Sequence, residues 1–422
     1  MRRPFIIGLL LAALPAVSAQ DRDAVLSKAR RDVAALTDPA MHGRGYFSGG
    51  DSIAAEWIAR EFKRIGLRPL KEDHFQRFHF KVNSFPDSIG VVIDDAVLVP
   101  GTDYLVAPHS GTAQGVHRLV HLSPADLLTP ERRAMTMGVV TGNAAVFRTP
   151  ATKDADTLAM YAAMERELML HVPVVRPVKG KLTWGVAREA LPHPLIEVRD
   201  ELVTDSAGTL AVQVRNNLVS LHQARNVLGM VKGRSKDWVV IGAHYDHLGR
   251  MGPSALFPGA NDNASGVAML LALAERFAKR PPKHNLLFVA FAGEEAGLLG
   301  SEWFVQDKPI PLGRIRMMVN LDILGTGDDG ITVVNATAEQ AAYDRLSGIN
   351  ARASLLPQVR SRGPACNSDH CPFVKRGVPA IFIYTLGGVA HYHDVHDRAE
   401  TLPLTRFHEL YTLLGEFIAT QR

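Results

Sequence analysis

Residues Phe288–Ser301 read FVAFAGEEAGLLGS. An apolar run suited to a buried strand ends in two adjacent acids, Glu294 and Glu295, before a helix-like segment takes over. Working outward, the same texture recurs downstream of Val227: WVVIGAHYD, ASGVAMLLALAERFAKR, NLLFVAFAGEE, EWFVQ, IRMMVNLDILG and VPAIFIYTLGG follow one another. Near-continuous apolar strands separated by amphipathic helices predict an α/β fold, with a mostly parallel (mixed) central sheet and helices on both faces. The helix from Ala264 should stop at Pro281-Pro282, and a C-terminal helix should bury Phe407, Leu410, Leu414, Phe417 and Ile418 on one face. Upstream, DSIAAEWIAREFKRI from Asp51 to Ile65 spaces Ile53, Trp57, Ile58, Phe62 and Ile65 as a helix, with Asp51 or Ser52 as cap and Gly66 as stop.

Between about Pro86 and Gln223 the texture changes to short valine-rich alternations such as SIGVVIDDAVLV and GNAAVFR, many turn residues, and one helix-like run, DTLAMYAAMEREL. This stretch reads as a β-rich insertion. The expected organisation is a signal peptide over 1–19, an N-terminal part of the main domain over 20–85, the insertion over 86–223, and the rest of the main domain over 224–422.

The chain of 422 residues is 46% hydrophobic and 21% charged, a globular balance that argues against disorder. Its first twenty residues, MRRPFIIGLLLAALPAVSAQ, combine Arg2 and Arg3, an apolar stretch too short to span a bilayer, and a Val17-Ser18-Ala19 cleavage pattern. Export to the periplasm or beyond is expected, with a cut after Ala19 and no membrane association afterwards. The net charge falls from +4 to +2 once Arg2 and Arg3 leave. No basic stripe with interleaved aromatics points to nucleic acid. Cys366 and Cys371 in ACNSDHCPF suit a local disulfide in an oxidising compartment, and two free thiols are the other reading.

The chemistry lies where the strands end. One runs into His244 and Asp246, another into Glu294 and Glu295, a third into Asp322, and the last precedes the HYHDVHD loop; Asp262 in GANDNASG stands just before a helix. In open α/β sheets the carboxyl ends of the strands form the ligand crevice, so these groups should converge. So many anions together resist ionisation unless a cation joins them. Imidazoles with carboxylates favour zinc, and two zinc ions about 3.5 to 4 Å apart could share one carboxylate and activate a water. One glutamate of the pair can then ligate metal while its neighbour takes a proton, and an aspartate two residues beyond a ligating histidine can orient its ring. Singly these signals are bland: EE at a helix start is ordinary dipole compensation, and DNASG is a turn and cap.

Together, VVIGAHYDHLG, GANDNASGVA, FAGEEAGLLGS, VNLDILG, SDHCPF and YHDVHD resemble, in order, the co-catalytic di-zinc exopeptidases typified by bacterial leucyl aminopeptidases. That family also includes glutamate carboxypeptidases, glutaminyl cyclases and the transferrin receptor ectodomain. MHGRGYFSGGDSIAAEWIAREFKRIGL resembles the family's opening segment, and the insertion sits where many relatives carry a protease-associated domain. The resemblance implies a zinc aminopeptidase acting on peptides. His244 and Asp322 would hold one zinc, Glu295 and His393 the other, with Asp262 as bridge, Glu294 as general base and Asp246 as partner of His244. His391 and His396 compete with His393; His247 and His370 are read as pocket-wall groups or as groups behind the ligands, rather than as ligands. The carbonyl-polarising tyrosine of the leucyl aminopeptidases has no counterpart before SDH, leaving Tyr384 and Tyr392 as candidates. The alternatives are a carboxypeptidase or dipeptidase on the same scaffold, then a glutaminyl cyclase or a non-catalytic binding ectodomain. The oligomeric state is not legible.

Overall fold

The computed structural model describes residues 19–421, so the expected export signal, apart from Ala19, lies outside the described residues. Two eight-stranded sheets organise the chain. The first has the spatial order Phe75–Ser84, Asn217–Val231, Asn285–Phe291, Trp238–His244, Ile315–Leu321, Ala380–Thr385, Ile331–Val334, Val359–Ser361. Its middle four strands, from Asn285–Phe291 to Ala380–Thr385, are mutually parallel. The flanking pairings are antiparallel, except for the edge strand Val359–Ser361.

The continuous apolar runs are explained by burial on both faces. Val239, Ile241 and Ala243 join one core cluster while Val240 joins another; Leu286, Phe288 and Ala290 alternate in the same way with Leu287, Val289 and Phe291. The first face is covered by helices Ala19–Thr37, Gly50–Ile65, Ser265–Lys279, Gln340–Ala353 and Phe407–Ala419. The second is covered by Leu299–Asp307 and His370–Lys375, through Phe304 and Phe373 packed against Phe291. A large apolar side chain such as Phe291, fully buried here, is worth about 3 to 5 kcal/mol against alanine. The C-terminal helix buries Phe407, Leu410, Leu414, Phe417 and Ile418 as its spacing predicts.

The helix over Gly50–Ile65 differs in detail from its sequence reading. Its N-cap is Gly49 in a left-handed conformation, rather than Asp51 or Ser52, because the Asp51 carboxylate is engaged by His222 at 2.6 Å. Ile53 is 39% exposed, and the buried face is Ala54, Ala55, Ile58 and Phe62. Gly66 ends the helix in a left-handed conformation, as expected.

The second sheet is drawn from residues 90–214, ordered Ala96–Val97, Gly90–Ile93, Thr209–Val214, Ala113–Leu122, Ala144–Phe147, Val174–Val178, Leu195–Arg199, Tyr104–Val106. It carries its own helices, Pro130–Val140 and Ala155–Leu168. Strand Asn217–Val231 already pairs with Phe75–Ser84 at Asn217, so the return to the first sheet begins before residue 224. The second sheet shares a core with loops of the main segment: Leu248, Phe257 and Val395 pack in one cluster with Tyr104, Trp184 and Ile196. No helix among the described residues is long and apolar enough to cross a membrane.

Candidate metal centre

Trp238–His244 delivers His244 at the carboxyl end of a central parallel strand, and Asp322 directly follows the neighbouring strand Ile315–Leu321. Glu294 and Glu295 sit in the turn between strand Asn285–Phe291 and helix Leu299–Asp307. Asp262 lies in the irregular turn ahead of helix Ser265–Lys279, which is fastened by a neighbour: Asn263 Oδ1 accepts from Gly266 N at 2.9 Å, and its amide donates to Leu321 O at 3.0 Å. A Cβ on Gly266 would stand 2.2 Å from that Oδ1, so only glycine permits the approach that brings the Asp262 and Asp322 turns together.

The donor atoms meet. His244 Nε2 is 3.2 Å from Asp262 Oδ1 and 3.3 Å from Asp322 Oδ1. His393 Nε2 is 3.0 Å from Asp262 Oδ2 and 3.2 Å from Glu295 Oε2. Donors of His244, Asp262 and Glu295 lie within 4.8 Å of one another, as do those of His244, Glu294 and Asp322. Ligands about 2.0 to 2.1 Å from a tetrahedral zinc stand about 3.3 Å apart, so these spacings suit the edges of two coordination shells meeting at Asp262.

The electrostatics make the same demand. Burial works against charge on His393, yet Glu295 and Asp262 overcome it and lift the imidazole to about 11. His244 is likewise driven well above its ordinary value, burial opposing and Asp322 and Glu294 prevailing. Burial favours the neutral form of Glu295, but its histidine contacts win and bring it down to about 2. The cluster therefore draws positive charge onto its imidazoles, and a dication can replace those protons because a ligating nitrogen must be deprotonated. Glu294 behaves oppositely. Burial, then the anionic neighbours Glu295, Asp369 and Asp322, push it well above the usual carboxylate range against the pull of His244.

Surrounding groups orient the donors. The Asp246 carbonyl, rather than its carboxylate, accepts from His244 Nδ1–H at 3.1 Å; the nearest carboxylate oxygen stands 4.0 Å away. That carboxylate instead accepts from Tyr46 Oη at 2.5 Å and from the backbone N–H groups of Glu294 and Glu295 at 3.2 Å each, fixing the turn that carries both acids. Ser368 Oγ donates to Asp322 Oδ2 at 2.8 Å, and the Asp397 carboxylate accepts from the N–H groups of Asn261 and Asp262. Cys366 and Cys371 form a disulfide that brackets Ser368 and Asp369. The Arg44 guanidinium, fully buried, donates to the carbonyls of Tyr245, Leu36, Pro258 and Gly259 and so ties together the turns carrying His244 and Asp262.

Of the other histidines, His247 Nδ1–H donates to Glu295 Oε1 at 2.8 Å and His370 Nε2–H to the Ala365 carbonyl at 2.8 Å. His391 lies 3.6 Å from Asp394, and His396 is exposed. A cleft of about 190 Å³ opens on the donors, with Ile323, Phe382, Tyr384 and Tyr392 as apolar walls and Arg362 and Asn367 as polar ones. Sequence reading had named the two tyrosines. It had missed Tyr46, Arg44, Arg362, Asn367 and the contact of His393 with Trp184, none of which shows in local spacing.

Residues 226–418 match the profile described as Peptidase family M28. Aminopeptidase YwaD of Bacillus subtilis is 29% identical over 231 residues, 51% of this chain and 49% of that protein. A probable leucine aminopeptidase of Arthroderma otae is 31% identical over 166 residues, 38% of this chain and 46% of that protein. The chain thus spans about half the length of the curated relatives it matches. Among solved structures, an aminopeptidase from Aneurinibacillus sp. strain AM-1 superposes with a TM-score of 0.64 at 21% identity, over 94% of this chain and 93% of that one. A zinc aminopeptidase from Bacillus subtilis does so with a TM-score of 0.69 at 18% identity, over 93% and 94%. At such identities these likenesses establish a shared fold.

Proposed function

We propose that the protein, whose residues 226–418 match the profile of peptidase family M28, is a zinc-dependent aminopeptidase that removes N-terminal residues from peptides. One observation carries the reading: donors from five separate segments converge at spacings of 3.0 to 3.3 Å. His244 and Asp322 would hold one zinc and Glu295 and His393 the other, while Asp262 turns Oδ1 towards His244 and Oδ2 towards His393. When bound, zinc supplies a water of lowered pKa and a Lewis acid for the scissile carbonyl.

Glu294 is the general base, taking a proton from the attacking water and passing it to the leaving amine. Its carboxylate lines the cleft and accepts no hydrogen bond from another described residue, and burial raises its proton affinity, as a base at neutral pH requires. Asp246 holds the turn beneath it. The apolar walls of the cleft receive the substrate side chain. The second sheet, drawn from residues 90–214, forms an accessory β-rich unit. The protein acts outside the cytoplasm after removal of residues 1–19, a reading supported by the leader pattern and by the Cys366–Cys371 disulfide, which oxidising compartments preserve.

A carboxypeptidase or dipeptidase is the second reading, favoured by Arg362, whose Nη1 reaches only the Tyr384 hydroxyl, at 3.4 Å, and which has no carboxylate partner among the described residues. Digestion of peptides dansylated at one end decides between them: shortening from the free amino end supports the first reading, and shortening from the carboxyl end replaces it with the second. Glu294→Gln should keep its zinc while aminoacyl-anilide hydrolysis falls by about two to four orders of magnitude. Turnover near that of wild type would remove Glu294 from the base role.

A further inference from the structure

Residues 179–194 join two parallel neighbours of the second sheet, Val174–Val178 and Leu195–Arg199. A join between parallel strands needs a crossover of a dozen or more residues and usually carries a helix. Here it is irregular throughout, a length of structureless chain that compact domains seldom keep without a function for it. It runs to the His393 loop. Trp184 N–H donates to the His393 carbonyl at 2.9 Å, and the Trp184 carbonyl accepts from His393 Nδ1–H at 2.9 Å. Lys181 Nζ donates to the Ala390 carbonyl at 2.8 Å and pairs with Asp394 at 2.6 Å.

The strap is itself anchored away from the donors. The Trp184 indole stacks on Phe257 with centroids 4.7 Å apart, and its Nε1–H donates to the Val106 carbonyl at 2.7 Å. His393 has a φ of +54°, a left-handed conformation that few non-glycine residues adopt and that the two Trp184 bonds brace. We infer that Trp184, through its main-chain carbonyl, is a positioning residue for the His393 imidazole, so that the second sheet sets the zinc affinity of the Glu295–His393 end. A neutral imidazole has one N–H; with Nδ1–H committed to a carbonyl, the Nε2 lone pair is left facing Asp262 and Glu295. Lys181 holds the same loop at Ala390 and Asp394, before and after His393 in the chain.

This rests on the two-zinc reading, and the test separates the two. Full-length wild type and variants are stripped, reloaded, counted for zinc by elemental analysis and titrated against a chelator. Wild type should hold two equivalents. Trp184→Ala, which keeps the carbonyl but removes the indole that anchors it, and Lys181→Ala, which frees the loop, should keep one equivalent at wild-type affinity and bind the other about 10- to 100-fold more weakly, the range for lost support behind a ligand. Lys181→Arg should restore it, and adding Lys181→Ala to His393→Ala should change nothing further. Should Trp184→Ala fail to fold, the partly exposed Lys181 carries the test alone. Two equivalents at unchanged affinities in the alanine variants, or equal weakening of both, would overturn the inference alone. Fewer than two equivalents in wild type would overturn the two-zinc reading and this inference with it.

Discussion

His244 and Asp322 stand at the ends of parallel strands in the middle of a sheet, whereas His393 hangs on a loop that a distant crossover braces. The His244 side chain is 2% exposed and that of His393 is 16%. His244 inherits its position from strands buried on both faces, so its placement follows from the core. His393 has no such support, and its backbone adopts a left-handed conformation. One end of the donor cluster is thus a consequence of the fold, and the other is assembled from contacts added to it. Asp262 belongs to both, with one carboxylate oxygen turned to each histidine.

That asymmetry can be broken outright at the shared residue. Asp262→Ala should weaken zinc binding at both ends and lower peptidase activity by about three orders of magnitude or more, read by elemental analysis beside kcat/KM. Loss confined to one equivalent would show that the two ends do not share it. A smaller and more discriminating effect comes from the end ligands. His244→Ala and His393→Ala should each cost one equivalent of zinc; mild chelation of wild type should first remove the equivalent that His393→Ala lacks, because the loop end is less buried and less braced. Release of the His244-side metal first would reverse the comparison. Smallest is Tyr46→Phe, which deletes one 2.5 Å hydrogen bond to the Asp246 carboxylate. It should weaken the Glu295-side zinc about tenfold in a chelator titration and disturb the His244 side less, because that carboxylate holds the turn carrying Glu294 and Glu295 while His244 is oriented by the Asp246 carbonyl.

The same division marks what the sequence made legible. The central strands of the first sheet could be read because each is apolar on both faces, and the polar residues His244, Glu294 and Asp322 fall at or just beyond their carboxyl ends. Sheet topology then brings them together without further information. His393 is one of three histidines in HYHDVHD; the family resemblance selects it by its spacing to Asp397, and the fold turns it to Asp262 and Glu295 while His396 faces solvent. Tyr46 and Trp184 were invisible because each acts on a residue 200 or more positions away, Asp246 and His393 respectively. Such contacts leave no periodic trace. The cap of helix Gly50–Ile65 was misread for a related reason: Asp51 has a cap's chemistry, but His222 of a remote strand claims it. Asp246 partners His244 through its backbone carbonyl, while Tyr46 and two N–H groups occupy the carboxylate, a division that local spacing does not show.

The most direct measurement is an anomalous-difference map at the zinc absorption edge from crystals of the zinc-loaded, full-length protein. Two peaks about 3.5 to 4 Å apart are expected, one against His244 and Asp322, the other against Glu295 and His393, with Asp262 between them. A single peak, or peaks away from these five residues, would contradict the account.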